Sequence, residues 1–122
     1  MVRTTLVLVS LVVIAAAIAT SAFGQRATVP VLKGTVGPGY SITLKQNGKL
    51  VKTLKAGTYK FVIADKASIH AFDLDGPHDF AKDFTTVPFV GSKTVTLKLK
   101  KGSYKYYCVA HESTMFAHFT VK

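Results

Sequence analysis

The chain has one cysteine, Cys108, no tryptophan and only two methionines. A single cysteine excludes any disulfide within the chain. Acidic residues are also scarce: 6 Asp and Glu stand against 16 Lys and Arg, a formal net charge of +10 at pH 7. That balance favours acidic partners and anionic surfaces. Nucleic acid is set aside, because the lysines are scattered singly and the leader described below removes the obvious access to it. Repeats and low-complexity tracts are absent. Neither Gly34-Thr-Val-Gly37-Pro-Gly39 nor Ala56-Gly57 opens onto a helical pattern, so both read as turns and not as phosphate cradles.

What is present starts with an export signal. Arg3 supplies a positive charge, Leu6 to Ala19 is almost wholly apolar, and small residues surround Ala22 and Gly24. A signal peptide is therefore expected over residues 1–24, cut after Ala22 or Gly24, leaving a single domain over residues 25–122. The apolar run falls short of the ~20 residues that a spanning helix needs, yet an uncleaved leader would leave the protein membrane-associated. Either way the destination is periplasmic or extracellular. Loss of Arg3 takes the net charge from +10 to +9, still enough for peripheral association with an anionic membrane surface. About a hundred remaining residues suffice for one core.

In an oxidising compartment an unpaired cysteine implies a bridge to another chain, a reactive thiol or a metal-bound thiolate. Its neighbours favour the metal. Cys108, His111 and Met115 stand in the order Cys-x2-His-x3-Met, and thiolate, imidazole and thioether suit a copper electron-transfer site once a second histidine joins them. His70 is the candidate for that place. His78, in Gly76-Pro-His-Asp79, is the rival, but its loop context fits a surface residue.

The mature chain reads as strands and turns. Asn47-Gly48 suits a two-residue type I′ turn between Ser41 to Gln46 and Lys49 to Leu54. Alternation then places Tyr59, Phe61 and Ile63 on one face, and Val95, Leu97 and Leu99 inward opposite Thr94, Thr96 and Lys98. The stretch from Gly76 to Gly91 lacks periodicity and is expected to be a long connection. Short strands without a helical period indicate an all-β sandwich or barrel. Parity along Ser68 to Leu74 turns His70 to the side of Phe72 and Leu74. Along Ser103 to Cys108 it turns Cys108 to the side of Tyr104 and Tyr106. Met115 shares the inward parity of Ala117, Phe119 and Val121, whereas His118 faces away.

Three segments carry a family resemblance: Ala67-Ser-Ile-His70-Ala-Phe72, Tyr106-Tyr-Cys108-Val-Ala-His111-Glu-Ser-Thr-Met115, and Phe119-Thr-Val121. With them the chain resembles the small blue (type 1) copper proteins, the cupredoxins of the plastocyanin, amicyanin and pseudoazurin kind. The resemblance implies a Greek-key β-sandwich holding one copper ion between His70, Cys108, His111 and Met115. It further implies a single-electron carrier cycling Cu(I) and Cu(II), with His111 as the solvent-side exit for the electron. Two positions depart from the family pattern: Ala71 stands where Asn is common, and Ala110 where many members have Pro.

The expected function is thus electron carriage by a monomer, served by redox partner proteins with an acidic docking surface. It is not an enzyme, since one copper without a second histidine-rich cluster offers no place for multi-electron oxygen chemistry. Copper delivery or sensing would use the same ligands. An exported β-sandwich that binds no metal and serves only as an interaction module is the third reading.

Overall fold

The computed structural model describes residues 27–122, so the expected signal peptide and its cleavage sites lie outside the described residues. Ten strands follow one another: β1 Val31–Val36, β2 Ile42–Gln46, β3 Lys49–Leu50, β4 Thr53–Leu54, β5 Gly57–Asp65, β6 Phe72–Asp75, β7 Ala81–Thr85, β8 Gly91–Leu99, β9 Gly102–Tyr107 and β10 Phe116–Val121. They form two five-stranded sheets, ordered β3-β2-β1-β5-β8 and β4-β10-β9-β6-β7. Pairing is antiparallel except where β1 runs parallel to β5 and β4 parallel to β10.

Alternation explains why these segments become strands facing a common core. Tyr59, Phe61 and Ile63 on β5 are buried, and the residues between them face outward. The β2–β3 turn is the one the sequence indicates, with Asn47 at φ 49° and Gly48 at φ 78°, the positive values a type I′ turn demands. Beyond it the expected strand divides. β3 stays with β2, whereas β4 joins the opposite sheet beside β10, with the buried Val51 near the crossing. A strand that changes sheet closes a corner of the sandwich.

Two further segments differ from the sequence reading. The expected strand from Ser68 begins only at Phe72; Ala67 to His70 is a turn in which His70 N–H donates to Ala67 O at 3.2 Å. His70 is nevertheless fully buried, as its parity implied. The connection between Gly76 and Gly91 contains β7, an edge strand paired with β6 through a register shift between Phe72 and Asp73. Only Phe84 and Thr85 of β7 are buried, so its apolar alternation is too short to read.

Between the sheets, aromatic rings do much of the filling. Phe72 stacks on Tyr106 with centroids 5.7 Å apart, and Tyr104 on Phe119 at 5.1 Å. The Tyr104 hydroxyl would be costly to bury alone. It donates to Lys100 O at 2.9 Å and accepts from Lys100 N–H at 3.0 Å.

Candidate metal centre

One end of the sandwich collects the β5–β6 turn and the β9–β10 loop. Cys108 follows the last residue of β9 and keeps extended geometry at φ −100° and ψ 115°, which preserves the inward parity of Tyr104 and Tyr106. A 3-10 turn then covers Val109–His111. Its tight spacing lets His111 N–H donate to Cys108 O at 3.0 Å, bringing the imidazole back over the thiol. Met115 N–H donates to His111 O at 2.9 Å, and Cys108 N–H donates to Met115 O at 3.0 Å, so the loop is closed on itself. Met115 thereby lies beside Cys108 in the backbone and is buried, as is Cys108.

His70 reaches the same place from the other loop. Its Nδ1 lies 3.2 Å from His111 Nδ1 and 3.9 Å from Cys108 Sγ, and His111 Nδ1 lies 3.7 Å from that sulfur. All three donor atoms fall within 4.8 Å of one another. The sulfur separations are long for hydrogen bonds. They match donors sharing one ion at bond lengths of about 2.0–2.3 Å. His70 Nε2 is buried without a partner, consistent with a ring held through its other nitrogen. The residues therefore fit a soft transition metal.

The chain's own backbone braces these donors. Ala71 N–H donates to Cys108 Sγ at 3.3 Å, so the departure from Asn at this position leaves the backbone tie between the two loops intact. Phe72 N–H donates to the buried Thr85 Oγ1 at 2.9 Å, and Val109 N–H donates to Asp73 Oδ2 at 3.1 Å. Ala71 and the first two residues of β6, Phe72 and Asp73, thus stitch the His70 turn, β7 and the Cys108 loop together. Asp73 is itself buried, and its carboxyl is raised from 3.8 to about 7. Burial is the main cause, followed by hydrogen bonding with Asp83, while the Val109 amide pulls the other way.

At the surface, His111 is half-buried and Tyr40 packs edge-on against both imidazoles, 5.5 Å from His70 and 4.9 Å from His111. Tyr40 (66% exposed), Ile69 and Val109 form an apolar rim. Glu112, next to His111, pairs with Lys105 at 2.7 Å, and the same ammonium lies over the Phe116 ring at 5.3 Å. An exposed pair of this kind contributes at most about 1 kcal/mol.

The structure thus brings the donor atoms of His70, Cys108 and His111 together, joins the buried Met115 to Cys108 and His111 through backbone hydrogen bonds, and leaves His78 and His118 exposed. Sequence reasoning missed Tyr40, Asp73 and Thr85. Asp73 lies on the outward parity of β6, so no local pattern marks it. Tyr40 reads only as the start of a hairpin.

No protein-family model matches the chain, and no curated protein matches it by sequence. Solved structures do match. Reduced rusticyanin aligns with a TM-score of 0.57 at 22% identity over 80% of this chain and 81% of that one. Rusticyanin from Thiobacillus ferrooxidans aligns at 0.53 and 22% identity, over 80% and 79% of the two chains. A reduced mutant form of amicyanin aligns at 0.51 and 11% identity, over 79% and 86%. The fold of this chain is accordingly the cupredoxin β-sandwich that the sequence resemblance implied.

Proposed function

We propose that this protein is a mononuclear copper protein carrying single electrons outside the cytoplasmic membrane, with His70, Cys108, His111 and Met115 as ligands. The convergence of two imidazole nitrogens on one buried thiol supports this reading most directly. The structural likeness to rusticyanin, one of whose structures is described as a copper protein, supports the choice of metal. Copper so held supplies reversible one-electron chemistry by cycling between Cu(I) and Cu(II).

The chain's residues do the rest. The closed β9–β10 loop and the Ala71 amide fix the donors before any metal arrives, so little rearrangement accompanies a change of charge. Burial of Cys108 keeps its sulfur from solvent, while the half-buried His111 edge, rimmed by Val109 and Ala110, is the route to a partner. The partner is a redox protein with an acidic docking face, steered by the lysine excess and released quickly from a small apolar contact. The carrier works as a monomer and is not itself an enzyme.

Adding Cu(II) to the mature protein and recording visible and paramagnetic-resonance spectra tests the site. Intense thiolate-to-copper absorption is expected, lost in Cys108→Ser and changed in His70→Ala. A spectrum indifferent to both substitutions rejects the ligand set. A site that takes Cu(I) but cannot be reversibly oxidised would instead be one for copper delivery.

A further inference from the structure

We infer that the outer face of the β3-β2-β1-β5-β8 sheet is a docking surface for an anionic lipid bilayer. Lys33, Lys45, Lys60 and Lys98 all project from it and are exposed. No carboxylate shares the face. Of the six acidic residues, Asp65 is buried at the end of β5. Asp73, Asp75, Asp79 and Asp83 belong to β6, β7 and the turn between them, and Glu112 to the β9–β10 loop. Among the described residues the only ion pair is Lys105 with Glu112, so the four ammoniums of this face have no carboxylate partner.

Register makes the arrangement costly for folding alone. Lys33 stands directly opposite Lys45 on the paired strands β1 and β2, and like charges in that position destabilise a sheet. Between β1 and β2 runs a shallow groove lined by Val31, Lys33, Thr35, Thr43, Lys45 and Asn47. It offers two ammoniums and two hydroxyls to a phosphate. A protein partner would instead call for aromatic or arginine anchors at the centre of the patch. The strand positions of this face carry neither. A charged bilayer needs only a broad array of cations. Because the metal-centre loops leave from one end of the sandwich, a chain lying on this face keeps the His111 edge open sideways.

The inference is independent of the metal, and so is its test. The processed chain is sedimented with vesicles of phosphatidylcholine alone or mixed with phosphatidylglycerol. Binding is expected only to the mixed vesicles, weakening as salt rises. At about fivefold per lysine, Lys33→Gln/Lys45→Gln lowers partitioning about 25-fold. Lys33→Arg/Lys45→Arg retains it, which separates loss of charge from loss of fold. Lys100→Gln/Lys101→Gln, in the β8–β9 turn, removes the same charge elsewhere and is expected to change little. Equal losses from both Gln pairs, equal binding to both vesicle types, or binding to an acidic protein through these lysines with none to the vesicles would overturn the proposal.

Discussion

Asp73 shows how much one buried side chain can decide. Its carboxyl accepts from the amide that follows Cys108, yet burial and the neighbouring Asp83 raise it from 3.8 to about 7. The folded chain therefore holds a proton there between about pH 4 and 7 that the unfolded chain has released. The sign follows by linkage: this group's contribution is most favourable below about pH 4 and is lost as pH rises to about 7. Asp73→Asn mimics the protonated acid and keeps an oxygen for the Val109 amide. Melts of the metal-free protein across that range are expected to show the wild type close to the variant near pH 4 and falling below the variant's flatter profile as pH rises to about 7. An identical slope in both would show that Asp73 titrates normally. Nothing in Phe72-Asp73-Leu74 announces this role, because outward parity predicts a solvated carboxylate, and the Cys108 loop that covers it comes from 36 residues away.

Strands whose apolar residues alternate over most of their length, β5 and β8 above all, are legible in the sequence because a half-buried strand must repeat every second residue. β7 is not, since an edge strand with two buried residues carries almost no alternation. The His70 segment falls between these cases: parity named the right face, although the residue sits in a turn and only Phe72 onward pairs. Element packing also explains Gly34, which lies on β1 opposite Ile63 of β5 and beneath Phe72 of the facing sheet. A Cβ there would meet the Ile63 Cδ1 and come within 2.8 Å of Phe72 Cε2. Gly34→Ala is expected to cost about 1–3 kcal/mol by overpacking, read as a lower urea midpoint with an unchanged slope. A neutral result would mean that Phe72 can move without cost. Phe72 follows the residue whose amide holds Cys108 Sγ.

For the whole molecule, the two sheets divide the labour: the β6-β9-β10 sheet and its loops carry the candidate ligands and most of the acids, and the other sheet carries the basic face. His70 and Cys108, two of the proposed ligands, are 38 residues apart, so copper held between them in the folded state is expected to stabilise the fold. At a free concentration about 1,000 times its Kd the gain is about 4 kcal/mol. Calorimetry is expected to show a Tm that rises with copper in the wild type and not in Cys108→Ser; a Tm indifferent to copper in both would exclude binding to the folded state. The sequence by itself determined the strand period, the Asn47-Gly48 turn and the local Cys108-His111-Met115 spacing, because each depends on residues a few positions apart. Tertiary structure alone decided that His70 Nδ1 meets His111 Nδ1 at 3.2 Å, that Asp73 is covered, that Tyr40 lies against both imidazoles, and that four scattered lysines share one face. Those depend on strand order and register, which bring distant residues together through packing that no local pattern encodes.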